Sequence, residues 1–285
     1  MTPASPTRVR YAEPKGIALI GALTEAGQFV FSAAAAQEAS AKVGLAPGAV
    51  ETTLRRLADA GWVERLRRGL YATTGELPGN AALHPFAIAT AIVQPSAVSH
   101  WSALNHHGLT TQVPRVVTCM TTRKVVTPSM RSGLSRRGQG RHRWETAGGL
   151  RASYTTVTPS RYFGIEELWV DQRSRVPITD RERTVLETFA HPAAFGGIGE
   201  GLGILEEHLA ELDFARLVAH SLRYGATSVV KRIGFALERA GASAEALEPL
   251  RSLPATGVRL LDPAGWARGR CDRRWGIQDN LTPRR

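Results

Sequence analysis

Six residues in one short stretch carry the most specific chemistry in the sequence. Thr52, Arg55 and Arg56 stand three and four positions apart, so on a helix over 47–60 they share one face. Val50, Leu54 and Leu57 take the opposite face, which marks it as the side that packs. A few residues on, Arg65, Arg67 and Arg68 crowd an Arg-Arg-Gly turn, with Glu64 the one acid nearby. A guanidinium is a fixed fork of donors that fits both the O6/N7 edge of guanine and a phosphate oxygen pair. Arginines on a helix face are therefore placed to read bases. Arginines at a turn have no such scaffold and are placed to hold phosphates.

The elements around these residues agree with that chemistry. Gly44 interrupts the preceding segment, and Pro47 occupies a first helical turn, where its missing N–H costs nothing. Gly61 ends the helix; residues 62–66 then read as a strand, 67–69 as a turn and 70–72 as the returning strand. Upstream, Ile17, Leu19, Ile20 and Leu23 predict a first helix ending near Gly27. Ser32 predicts the N-cap of a second helix running to about Val43. Helix, helix, helix and an arginine-tipped hairpin is the order of a winged helix-turn-helix, whose third helix enters the DNA major groove.

Composition sets the frame. At 285 residues, 43% hydrophobic and 21% charged, the chain is long enough for two ordinary cores. Its net charge of +11 points to an anionic partner, nucleic acid first and a membrane surface second. The basic residues are 32 Arg against 4 Lys, a skew that a GC-rich genome produces unaided, so charge only supports the argument. The two cysteines, Cys119 and Cys271, lie too far apart for a metal-binding spacing or a disulfide framework. No secretory h-region opens the chain and no stretch nears the ~18 apolar residues of a membrane span, so a cytoplasmic protein is expected.

The organisation read from these signals is an α+β (mixed α/β) chain. A flexible terminus over 1–14 precedes the winged helix at 15–75, a linker at 76–84 and a larger α/β C-terminal domain at 85–285. The second domain predicts a helix over 85–93, a helix closed by Gly108, and strands near 115–122, 152–157, 167–170 and 176–178. His100, His106 and His107 lack the nearby carboxylate or cysteine of a metal site and read as surface or capping residues. Thr179 with Glu182 reads as a capping box. Residues 195–203 are glycine-rich but match no phosphate loop. Helices fill 202–250, with Phe214, Leu217, Val218 and Leu222 as one core stripe, before a final strand or two and a basic tail. No nucleophile elbow, Ser-x-x-Lys or nuclease pattern is present, so neither enzyme nor cofactor is expected.

Charge is unevenly spread. Residues 1–75 carry nine Lys/Arg against six Asp/Glu, a net of +3, whereas 115–151 carry nine against one, a net of +8. Arg131, Arg136, Arg137, Arg141 and Arg143 form the centre of this second basic patch, a Gly/Ser-spaced loop with one aromatic, Trp144. Such a loop suits a nucleic-acid backbone or an acidic protein surface.

Taken in order, ERLRRGLYA (64–72), SHWSALNHHGLT (99–110), VPITDRERTVLETF (176–189) and SVVKRIGFALERAG (228–241) resemble the AbiEi-type antitoxins of type IV toxin–antitoxin systems and their stand-alone regulator relatives. The resemblance spans roughly 15–262. It implies a winged helix that represses the protein's own operon, double-stranded DNA of its own promoter as ligand, and a C-terminal domain serving antitoxicity. A nucleotidyltransferase-like toxin, counteracted directly or indirectly, is the implied partner, and the chain would act as monomer or homodimer without a membrane. The alternative is a stand-alone winged-helix transcription factor whose C-terminal domain serves dimerisation or sensing.

Overall fold

A computed structural model describes residues 14–75, 82–127, 130 and 142–281. Helix α1 (Pro14–Glu25) ends at Ala26 and Gly27, whose φ of 72° is the left-handed conformation that a residue without Cβ adopts freely. Strand β1 (Val30–Ser32) follows, then α2 (Ala33–Ser40), capped by the Ser32 hydroxyl accepting from the Ala35 N–H at 3.0 Å. A single 3-10 turn at Pro47–Ala49 leads into α3 (Val50–Asp59). Strands β2 (Val63–Arg67) and β3 (Leu70–Thr73) form the hairpin around Gly69. The sheet order is β1-β3-β2, all antiparallel, and Leu19, Leu23, Phe31, Leu54, Leu57 and Tyr71 fill the core beneath it. This is a winged helix-turn-helix, with a third strand, β1, that the sequence reading did not contain.

The second unit is built on a six-stranded mixed sheet of order β6-β7-β5-β4-β9-β8. Its strands are β4 (Ser96–Val98), β5 (Val117–Thr121), β6 (His142–Glu145), β7 (Arg151–Thr156), β8 (Ile165–Trp169) and β9 (Arg175–Thr179). Helix α4 (Pro85–Ile92) lies against β4, β5 and β9. The Tyr154 hydroxyl on β7 donates to its Ala89 carbonyl at 2.6 Å. Helix α5 (His100–His106) enters through His100, a non-glycine residue at φ 54°, held there by the Glu187 carboxylate accepting from its N–H at 2.8 Å.

Helix α6 (Arg181–Ala190) is the hub of the remaining helices: eight of its ten residues are buried. Around it pack α7 (Ile198–His208), α8 (Phe214–Tyr224) and α9 (Thr227–Arg239), with α10 (Glu248–Arg251) behind. Leu222, expected in a core stripe of α8, is 37% exposed, while Ser221 and Tyr224 turn inward instead. The C-terminal stretch is more ordered than a basic tail. Strands β10 (Arg259–Leu260), β11 (Arg270–Asp272) and β12 (Ile277–Asp279) make a three-stranded sheet. From it Trp275 packs on Gly234, where a Cβ would collide with the indole, and donates its Nε1–H to Glu238 at 2.8 Å.

The helix cap at α6 differs from the expected one. Thr179 belongs to β9 and hydrogen-bonds Thr184, so the cap falls to Asp180, which accepts from the Arg183 N–H at 2.6 Å. Glu182 does not close a capping box either; its carboxylate accepts from the Asp213 N–H and so ties α8 to α6. Among the described residues no helix is long and apolar enough to cross a membrane.

Candidate nucleic-acid interface

Helix α3 presents a sharply divided surface. Val50, Thr53, Leu54 and Leu57 are buried, whereas Glu51, Thr52, Arg55, Arg56 and Asp59 are exposed. The buried side is fixed by close approach to α1: a Cβ on Gly16 would lie 3.2 Å from Leu57 and 3.3 Å from Thr53. Thr52, Arg55 and Arg56 therefore stand together on the outer face, as their spacing predicts. All of α3 is polar on one side and locked on the other, which holds the arginines on an element with little freedom to rotate.

The hairpin is less free than a wing that projects into solvent. Its pairing slips at a bulge between Arg65 and Arg67, which re-aims the strand just before the turn. Arg65 and Arg68 are exposed. Arg67 donates its Nε–H to the Ile92 carbonyl at the end of α4, at 3.0 Å. On the hairpin face turned away from α3, Leu66, Leu70 and Ala72 join one core with Ala89, Ile92, Val117 and Tyr154 of the second unit. Strand β3 is buried along all four residues because it has a core on each face. Glu64 reaches across to accept from the Gly148 N–H.

Trp144 is the main departure from expectation in this region. Its sequence context places it in the basic loop as an aromatic for gripping nucleic acid, but it is only 6% exposed on β6. Its Nε1–H donates to the Leu66 carbonyl at 3.3 Å, and its ring completes the hairpin's docking core. The local signal was present: Arg143 and Glu145, on either side of Trp144, are exposed, the in–out alternation of a half-buried strand. Of the second basic patch, Arg143 is exposed opposite Ser153. Arg131, Arg136, Arg137 and Arg141 lie outside the described residues.

Among the described residues the histidines form no metal centre, and His100 forms no nucleophilic triad. His100 is buried, not a surface residue; its Nδ1 lies 2.8 Å from the Ser99 hydroxyl and 3.4 Å from Glu187. A nucleophilic triad needs the serine and the acid on opposite ring nitrogens, and here both sit on one. Glu187 is also paired with the buried Arg183 at 3.1 Å. His220 holds the other end of α6 through Asp180 at 2.8 Å. These contacts order the hub helix. His107 donates its Nε2–H to the Thr179 carbonyl at 2.7 Å, and burial lowers its pKa and that of His191. Among the described residues no group of three potential ligands is positioned to hold a metal ion.

Residues 23–74 match the family described as transcriptional regulator, AbiEi antitoxin. That stretch is similar to an AbiEi-type regulator domain. The matched span runs from α1 through β3 and includes all six arginine and threonine positions of α3 and the hairpin. The family is a regulatory one, not an enzyme family. No protein of curated function matches the chain. Among solved structures, the RV2827C protein from Mycobacterium tuberculosis has a TM-score of 0.61 at 16% identity. The alignment covers 94% of this chain and 92% of that one, so the likeness extends over both units and is one of fold.

Proposed function

We propose that the chain is a DNA-binding repressor of its own promoter that acts as an AbiEi-like antitoxin against a nucleotidyltransferase-type toxin. The observation that carries the first part is the outer face of α3. Thr52, Arg55 and Arg56 stand exposed on a helix whose opposite side is packed against α1, inside the regulator domain. In this reading Arg55 and Arg56 contact base edges in the major groove, with Thr52 beside them. Arg65 and Arg68 hold phosphates, and Arg67 divides its guanidinium between phosphate and the Ile92 carbonyl.

Mobility-shift titrations on DNA upstream of the gene test it. Arg55→Ala and Arg56→Ala each cost about 1–3 kcal/mol and relax sequence preference if the arginine reads guanine. Unchanged affinity in both variants overturns the assignment. The antitoxin half rests on the family description and is tested by co-expression with a neighbouring nucleotidyltransferase-like gene product. One observation favours the alternative of a sensing regulator without a toxin: the hairpin shares a core with the second unit, so a change there reaches the DNA-reading element directly.

A further inference from the structure

A groove of about 1180 Å³ opens where the winged helix meets the second unit. One wall is the turn between α1 and β1, with Phe29. The others are the outer face of α4, the segment after β7 and the β8–β9 hairpin. None of Thr52, Arg55, Arg56, Arg65, Arg67 or Arg68 lines it, so it is separate from the proposed DNA face.

Its chemistry is one-sided. Arg123, Arg173, Arg175 and Arg223 all line the groove and all are exposed, against one carboxylate, Glu167. These arginines come from three different segments of the chain, the stretch after β5, the β8–β9 hairpin and α8, so their convergence is a product of the fold and not of a basic run in sequence. Among the described residues Arg123, Arg175 and Arg223 have no ion pair within salt-bridge distance. Aromatic rings stand beside the charge, Phe29 and Tyr162 half-buried and Phe163 buried beneath them. The Arg173 guanidinium lies 5.7 Å from the Phe29 ring centre, the Arg223 guanidinium lies 4.4 Å from that of Phe163, and Tyr162 completes the wall. Like charges gathered in a concave site raise one another's electrostatic cost, which an anion removes. Arginine forks match phosphate oxygens in pairs, and flat apolar rings match a planar base.

We propose that this groove binds a nucleotide, its phosphates held by Arg123, Arg173 and Arg175 and its base against the aromatic wall. The volume is ample for a ligand of that size, since small-molecule sites run to roughly 300–1000 Å³. A ligand seated there touches both the α1–β1 turn and the second unit, and so bridges the DNA-reading module to the rest of the chain.

The test is calorimetric titration of the full chain with ATP, GTP and inorganic pyrophosphate at physiological salt. One site is expected, with a nucleotide binding tighter than pyrophosphate. Arg123→Gln with Arg175→Gln should weaken it by at least about tenfold, the loss of one charge-assisted contact or more. Arg270→Gln with Arg273→Gln, exposed arginines outside the groove, should leave it unchanged; thermal melts confirm that both double variants fold. The proposal is overturned if no nucleotide binds, if both double variants lose binding equally, or if a single-stranded oligonucleotide binds where nucleotides do not. Because this readout involves no duplex DNA, it stands or falls separately from the repressor reading.

Discussion

Two neighbouring arginines at the hairpin tip should behave in opposite ways when removed. Arg67 donates to the Ile92 carbonyl across the junction, whereas Arg68 is exposed at the turn. A hydrogen bond from a charged donor contributes about 1.5–3 kcal/mol when well shielded, and the exposure of Arg67 reduces that to about 1 kcal/mol. In a protein of this size about 1 kcal/mol corresponds to roughly 2–4 °C in Tm. Arg67→Ala should therefore lower Tm by that amount. Arg68→Ala should leave Tm within the scatter of ordinary surface substitutions, about 0.5 kcal/mol. On DNA the ranking reverses. Losing one phosphate contact lowers the slope of log K against log salt by about 0.9. Arg68→Ala should show that drop in mobility-shift or fluorescence titrations across a salt series, and Arg67→Ala a smaller one. Reversal of the two patterns would refute the assignment, because it would place Arg68 in the docking contact and Arg67 on DNA. A parental slope in both variants would remove the hairpin tip from the DNA interface altogether.

Two further perturbations probe the packing around the interface. Trp144→Ala removes the indole that completes the hairpin's docking core and should cost about 3–5 kcal/mol in denaturant unfolding. Trp144→Phe keeps most of the apolar volume, loses the bond to Leu66 and should cost far less; equal losses would mean that packing is not what holds the hairpin. The half-buried His107 has its pKa lowered, chiefly by desolvation, so the folded state resists its protonation. Its contribution is complete above the unfolded-state value near 6.5 and is lost as pH falls toward the lower folded-state value. His107→Gln, whose amide can still donate to Thr179, should flatten the fall in Tm between pH 7 and pH 5; an unaltered fall would assign it to other groups.

What the sequence made legible was local. Ser32 capping α2, the glycines at 27, 61 and 69, and the division of α3 into two faces are all decided within a few residues, and each is observed. What escaped was decided at long range. Strand β1 has three residues wedged between a turn and a helix cap, too few for any periodicity, and exists because Phe31 pairs with Tyr71. Thr179 and Asp180 are both acceptable caps in sequence. The choice is made by β9, whose pairing with β4 brings Ile178 beside Val98 and keeps Thr179 within the strand. Trp144 reads as part of the basic loop because a run of arginines precedes it and glycines follow at 148 and 149, while the Leu66 carbonyl that it meets lies 78 residues away in the chain.

The hairpin also changes what the chain's division into units means. An isolated winged helix buries one face of its hairpin and leaves the other to solvent or DNA. Here β3 supports Phe31, Leu54 and Leu57 through Tyr71 on one face, and Ala89, Ile92 and Trp144 through Leu70 and Ala72 on the other. A fragment beginning after residue 75 lacks Leu66, Leu70 and Ala72 and leaves apolar side chains of α4 and the sheet without their cover. Antitoxin or ligand activity of the second unit is therefore best measured in the full chain, with point substitutions on α3 to silence DNA contact. The same shared core supplies a physical route between the two units. A ligand or partner that shifts α4 moves the Ile92–Arg67 bond, which ends on the strand that follows α3, the helix proposed to read DNA.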